Sequence, residues 1–286
     1  MSRVAGSGID NREAGNGHEA GSDAAASTAA TAIAATGMSG VWLRALMALV
    51  RREFSAYFAT PIAWVFLAAF AALAAVFTFR VGNFMGRGVA DLAPFFMYLP
   101  WLLAVLTPAV SMRLWAEERA SGSIELLMTL PISTWQAVLA KWLAGWLFLG
   151  LALLSTTGLW LSVNWLGTPD NGVIALGYVA AWMSAGVLLA AGATASALTR
   201  NQVIAFVLGA LLAFLLLSAG TPLVRGVLSA WLPAAVAESL LAISLTTHFA
   251  PAAQGVISLA DVLYWLSMTA FWLFLNVLVV EWKKAA

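Results

Sequence analysis

The sequence predicts an all-α polytopic membrane protein: six transmembrane helices, preceded by a helix on the membrane surface and interrupted by a short cytoplasmic helix. Three observations predict it. Six stretches, each of roughly 20 residues or more, contain no Asp, Glu, Lys or Arg, and about 20 apolar residues in an α-helix cross about 30 Å of hydrocarbon while satisfying their own backbone. The composition is 62% hydrophobic and 9% charged, with mean hydropathy +0.91, which is more apolar surface than a water-soluble domain can bury. The remaining charge lies between the stretches, and Arg and Lys favour alternate connections, the asymmetry that orients membrane proteins.

Residues 1–40 are rich in Gly, Ala, Ser and Thr with scattered charge. Such a segment buries too little to offset its ordering entropy and is expected to be a disordered tail. Its Ala24 to Ala35 stretch lacks the Leu, Phe or Val of a signal-peptide core and follows Glu13, Glu19 and Asp23, so the tail is expected to be retained. A membrane domain is expected over 41–286. It opens with a helix from Val41 to Phe58, where Trp42, Leu46, Leu49, Val50, Phe54 and Tyr57 share one side and Arg44, Arg51 and Arg52 the other. This pattern suits a helix lying in the interface. Glu53 projects from the apolar side, either at a wet edge or paired with a basic group of the next cytoplasmic segment.

The expected spans are 61–79, 92–112, 142–163, 173–199, 201–224 and 262–280. With a cytoplasmic amino terminus, Arg44, Arg51, Arg52, Arg113, Arg119, Lys141, Arg200, Lys283 and Lys284 fall inside. Only Arg80, Arg87 and Arg225 stay outside. Gly226 to Phe249 is long enough for a seventh span, but Pro233 and Glu238 interrupt it and a seventh crossing would export Lys283 and Lys284. Two short helices in the outer leaflet, broken near Thr246 to Ala252, are expected instead.

Several function classes lose support. A net charge of +1 offers no surface for a polyanion, so no nucleic-acid partner is expected. With 0 Cys, and with His18 and His248 in unrelated segments, neither a thiolate nor a histidine metal site is expected. No convergent acid, base and nucleophile set points to an intramembrane enzyme. The spans hold no Asp, Glu, Lys or Arg, which disfavours a proton-coupled carrier. The phosphate-loop pattern G-x-x-x-x-G-K-[ST] is missing, so a nucleotide-driven machine built on this chain has to borrow its ATPase.

The densest charge lies between the second and third expected spans. Arg113 and Glu117 are four residues apart and can pair on one helix face, so the second helix is expected to run past the membrane and stop near Ser121-Gly122. Ser123 can cap a short helix from Ile124 to Leu130, with Glu125 in its first turn where the helix dipole favours an anion. Pro131 ends that helix, and Ser133 with Gln136 forms an S-x-x-Q capping box that opens the third span. A plain polar loop that only enforces topology is the alternative.

The run Met112-Arg-Leu-Trp-Ala-Glu-Glu-Arg-x-Ser-Gly-Ser-x-Glu-Leu-Leu-Met-Thr-Leu-Pro-Ile-Ser133 resembles the cytoplasmic coupling segment of ABC-2 type transporter permeases, closest to the gliding-motility-associated subfamily. Arg51-Arg-Glu-Phe-x-x-Tyr-Phe-x-x-Pro-Ile, Ala197-Leu-Thr-Arg-Asn-Gln-Val, Thr247-His-Phe and Gly255-Val-Ile-x-Leu-x-Asp-Val-Leu-Tyr264 are similar to that subfamily too. The likeness covers roughly Val41 to Lys284; the tail is not part of it. It implies a non-catalytic permease half of an exporter, in which the 113–131 segment receives P-loop ATPase subunits and a second permease half completes the pathway. ATP and Mg would belong to the ATPase, with no cofactor in this chain. By the same resemblance, Arg113, Glu117, Glu118, Arg119, Ser121, Gly122 and Glu125 are coupling residues, and Arg51, Arg52 and Glu53 belong to the surface-helix motif. The other expected partners are membrane lipid and an accessory extracytoplasmic protein; the expected location is the inner (plasma) membrane with both termini cytoplasmic. A membrane subunit of a mechanotransmission or cell-surface assembly machine is the alternative reading.

Overall fold

The computed structural model describes residues 42–123, 133–231 and 233–283. The chain divides into two compact units, Met1–Met47 and Ala48–Ala286. In the first, the described residues 42–47 are helical. The expectations for the tail, for the short helix from Ile124 to Leu130 with Glu125, and for Lys284 lie outside the described residues.

In the second unit every regular element among the described residues is a helix. Helix α1 covers residues 48–58. Helix α2, Ile62–Val76, runs into a π-helical turn, Phe77–Val81, and α3 is a short turn, Phe84–Arg87. Helices α4 (Ala93–Ser121), α5 (Thr134–Ser155), α6 (Thr157–Leu166) and α7 (Asn171–Leu198) follow. Then come α8 (Gln202–Ser218), α9 (Pro222–Trp231), α10 (Ala234–Ala242), α11 (Leu245–Ala252) and α12 (Leu259–Trp282).

Among the described residues, five helical segments are long and apolar enough to cross a membrane: Ile62–Arg87, Ala93–Ser121, Thr134–Leu166, Asn171–Leu198 and Leu259–Trp282. The fifth expected crossing is a bent pair, Gln202–Ser218 with Pro222–Trp231, turned by 70° at the break. All five segments exceed a bilayer core, and two of them do so most. At 1.5 Å per residue, the 29 residues of α4 reach about 44 Å and the 33 residues of α5 with α6 about 50 Å, against about 30 Å of hydrocarbon. Their surplus turns carry Arg113 to Ser121 and Thr134 to Lys141.

Helix α7 is the centre of the bundle and packs against α4, α5, α8, α11 and α12. Its sequence explains this. Runs such as Ala190-Ala-Gly-Ala-Thr-Ala-Ser-Ala197 let neighbouring backbones approach closely, the way membrane helices gain packing without a hydrophobic drive between them. At the crossing of α4, α7 and α8, a Cβ on Gly209 would lie 3.3 Å from Pro108 Cβ and 3.5 Å from Gly192 Cα, and one on Gly192 would collide with Ser111 Oγ. On the α5 side, Trp146 and Trp182 stack at 4.1 Å, and each indole N–H donates to the other's carbonyl, at 2.8 and 3.1 Å. Trp142 extends the stack and donates to Gly186 O.

The region after α8 corrects the expected two helices broken near Thr246 to Ala252. It forms three, and Leu245–Ala252 is itself helical. The chain leaves helical structure at Pro233 instead, which has no N–H with which to continue α9, and again at Ser244, whose backbone is extended at φ −71 and ψ 132. The Ser244 and Thr246 hydroxyls bond the carbonyls of Leu216 and Leu217 at the end of α8. This satisfies backbone acceptors that a broken membrane helix exposes. His248 Nδ1 lies 2.8 Å from Asp261 Oδ1 and Nε2 lies 3.1 Å from Ala242 O, tying α10, α11 and α12 together.

Candidate functional site

The amino end of α5 explains how the site is held. Ser133 Oγ accepts from Gln136 N and the Gln136 side chain accepts from Ser133 N, the expected capping box. One and a half turns further, Lys141 is 3% exposed although it is charged. Its Nζ lies 3.1 Å from Glu53 Oε2 on α1 and 2.6 Å from Glu118 Oε1 on α4. Glu53 also accepts from Arg52 Nη2 at 2.6 Å. Arg52, Glu53, Lys141 and Glu118 thus form a line of alternating charge across three helices, which offsets the cost of withdrawing the ammonium from water. Lys141 also stands 5.4 Å from the centre of the Trp115 ring.

Of the two placements open to Glu53, the structure realises the pairing with a basic residue of the next cytoplasmic segment. Burial raises the Glu53 carboxyl, and the Lys141 ammonium and Arg52 guanidinium outweigh it, holding the group below its ordinary range. Tyr57, one turn along α1, stacks on Phe148 at 4.8 Å, and burial, then the Glu53 carboxylate, push its phenol up.

Helix α4 stops where expected. Gly122 closes it at φ +73, a left-handed conformation that glycine adopts without Cβ strain. Ser121 Oγ donates to the carbonyls of Glu117 and Glu118 and lies 2.9 Å from Ser123 Oγ. The expected pairing of Arg113 with Glu117 is not formed: among the described residues neither side chain has an ion-pair partner. The adjacent Glu118 points to Lys141 instead, leaving Arg113 and Glu117 on the wall of a cleft of about 390 Å³ between α1, α2, α4 and α5. Arg119 lies on the other side, within electrostatic reach of Arg200. Arg51 is exposed.

Just before the elbow, α7 grips α4. Ser196 Oγ accepts from the backbone N–H of Trp115 and Ala116, at 3.2 and 3.1 Å, and donates to Met112 O at 3.0 Å. At the same end of the bundle, Lys283 Nζ donates to Leu198 O. The structure therefore gathers Arg52, Glu53, Arg113, Glu117, Glu118, Ser121 and Gly122 around one end of α4. Arg119 flanks the group.

The model of the ABC-2 family transporter proteins matches residues 47–281. The chain belongs to this family. The match starts six residues after and ends three residues before the likeness carried by the motifs, so it covers nearly all of the second unit. No curated protein matches the chain. As an ABC-2 family protein it is a multi-pass membrane permease component of an ABC transporter, of a kind that works with an ABC ATPase subunit.

Among the described residues of this permease no group of three or more His, Asp or Glu is placed to hold a metal ion. Sequence reasoning missed two members of the site. Lys141 reads as one more inward-facing charge at the head of a span, and Tyr57 as one more apolar-face residue of a surface helix. The only signal for the first was Glu53, a carboxylate on an apolar face in want of a cation.

Proposed function

We propose that this ABC-2 permease is the membrane half of an ATP-driven exporter, energised by a separate P-loop ATPase that docks on the 113–131 segment. Two permease halves and two ATPase subunits then form the working unit, in keeping with the prevalence of closed two-fold assemblies. ATP and Mg would be held by the ATPase. The end of the bundle that carries the elbow faces the cytoplasm of the inner membrane, with both termini on that side.

The observation that carries this reading is the ion-pair line from α1 through Lys141 to Glu118. A displacement delivered at the elbow is useful only if the elbow is fixed to several helices at once, and Glu118 is fixed to α5 and, through Lys141, to α1. Arg119 is left for the partner surface, to which the motif likeness also assigns Glu125, and Gly122 sets the direction in which the chain leaves α4.

Replacing Glu117 and Glu118 together by Ala, or Glu125 by Lys, is expected to leave membrane insertion intact and reduce copurification of the ATPase and its coupled hydrolysis about tenfold or more, the order of a lost charge-assisted contact. Equivalent changes at Glu13 and Glu19 serve as controls. Wild-type copurification and wild-type coupled rates in the elbow variants would reduce the segment to a topological loop. The motif likeness to the gliding-motility-associated subfamily favours a second reading, a subunit of a cell-surface assembly machine that moves no solute. Transport into sealed vesicles separates the two.

A further inference from the structure

Arg113 and Glu117 stand one turn apart at a spacing where opposite charges ordinarily pair, yet they face one cleft without joining. Among the described residues Arg113 has no ion pair and its Nε has no hydrogen-bond partner. The Glu117 side chain is exposed and equally unpaired. One side of the cleft is apolar, formed by Ile62 and Phe66 of α2 with Val110 and Leu114 of α4, and the other carries Glu53, Glu118 and Lys141, already paired with one another. Ile62 is 41% exposed, and Trp64 and Val65 beside it are more so, so the cleft is continuous with the outward apolar surface of α2.

We propose that this cleft binds a phospholipid with a zwitterionic, amine-bearing headgroup, phosphatidylethanolamine being the simplest. Arg113 takes the phosphate, Glu117 accepts from the primary ammonium, and the first methylenes of an acyl chain lie along Ile62, Phe66 and Val110. Charge complementarity selects this occupant. A simple anion satisfies Arg113 alone and adds negative charge near Glu53 and Glu118, and a simple cation leaves Arg113 unpaired. A phosphatidylcholine headgroup brings the charge without an N–H to donate. The volume, about 390 Å³, is at the lower end of small-molecule sites, room for a headgroup and the start of one chain. The proposal rests on the chain's being embedded in a membrane and is independent of ATPase docking.

The test is native mass spectrometry of the full-length chain in detergent, without any ATPase, titrated with phosphatidylethanolamine, phosphatidylglycerol and glycerophosphoethanolamine. Phosphatidylethanolamine is expected to be held about tenfold more tightly than phosphatidylglycerol, the order of one charge-assisted hydrogen bond. Glycerophosphoethanolamine, with the same headgroup and no chains, is expected to compete only at far higher concentration. Arg113→Gln should weaken both lipids, whereas Glu117→Gln should weaken phosphatidylethanolamine about tenfold and spare phosphatidylglycerol. Ala56→Trp, at an exposed position of α1 on the cleft wall, should weaken both by filling space. Equal retention of the two lipids by the unaltered chain overturns the proposal, and so does phosphatidylethanolamine binding that ignores both charge substitutions. Equal affinity for glycerophosphoethanolamine overturns the lipid assignment. The comparison on the unaltered chain decides even if a variant fails to fold.

Discussion

A lysine side chain that is 4% exposed, with carboxylates at 3.1 and 2.6 Å, is under a strong electrostatic constraint. Replacing it with the similarly sized Met removes the one cation between Glu53 and Glu118 and leaves two carboxylates facing each other at low exposure. Breaking a buried pair by removing one partner costs about 3 kcal/mol or more, so Lys141→Met should lower the thermal midpoint in detergent far more than Arg51→Gln on the exposed face of α1. A midpoint within a degree or so of the unaltered chain would contradict this. Acid should act on the same group. Because the Glu53 carboxyl is held below its ordinary range, its stabilising contribution is fully present above the ordinary carboxyl value of 4.5 and is lost as pH falls through the lower folded-state value. Glu53→Gln should therefore flatten the acid limb of a stability-against-pH curve measured in detergent.

At the scale of elements, α5 and α7 are joined by indoles as much as by aliphatic packing. A Cβ on Gly186 would lie 3.0 Å from Trp146 Nε1 and 3.3 Å from Trp142 Cζ2, so this glycine makes room for the stack. Gly186→Val should push Trp146 off Trp182 and diminish the near-ultraviolet circular dichroism of the coupled indoles, at a cost of about 1–3 kcal/mol for overpacking. Trp146→Phe keeps an aromatic face but loses one N–H bond, worth about 1 kcal/mol. The start and stop of these helices were legible in the sequence because their causes are local: Ser133 with Gln136 opens α5, and Gly122 closes α4. The partners of Glu53 were not. Lys141 lies 88 residues further along the chain, and no local pattern distinguishes it from a lysine that only marks the membrane boundary. The pairing of Arg113 with Glu117 had the right spacing, but Glu118 beside it found the buried cation and fixed the local geometry. The misplaced break at Thr246 to Ala252 has a similar origin, since Ser244 leaves helical geometry while bonding carbonyls 27 and 28 residues back.

For the whole molecule, charge-free length was the legible quantity: among the described residues, five of the expected spans fall on helices long and apolar enough to cross, while the bend in the fifth expected span was not visible in it. The two ends of the bundle differ. One collects Glu53, Glu118, Lys141 and Lys283. At the other, a Cβ on Gly167 would touch Ala90, Gly255 packs on Val173, and Arg87 pairs with Asp91. Single cysteines introduced into this cysteine-free chain at Val89 or Gln254 should react with an impermeant maleimide added outside cells, and one at Ala120 only after lysis. Labelling of Ala120 in intact cells would invert the proposed orientation. Cysteine at Ala285 tests the crossing number, and its labelling from outside would favour a seventh span.

Two prolines, Pro100 and Pro108, lie within α4, and each removes a backbone donor from the ladder. The elbow end of the helix is clamped by Ser196 and Lys141, while Phe95 and Phe96 near the far end pack against Tyr178. Between those holds, the glycines at 192 and 209 leave the backbones around Pro108 nearly in contact. Under the proposed docking at the elbow, force delivered at Glu118 is expected to act as a torque about the small-residue crossing, so that the stroke reaching the far side of the bilayer is a tilt and not the travel of a piston.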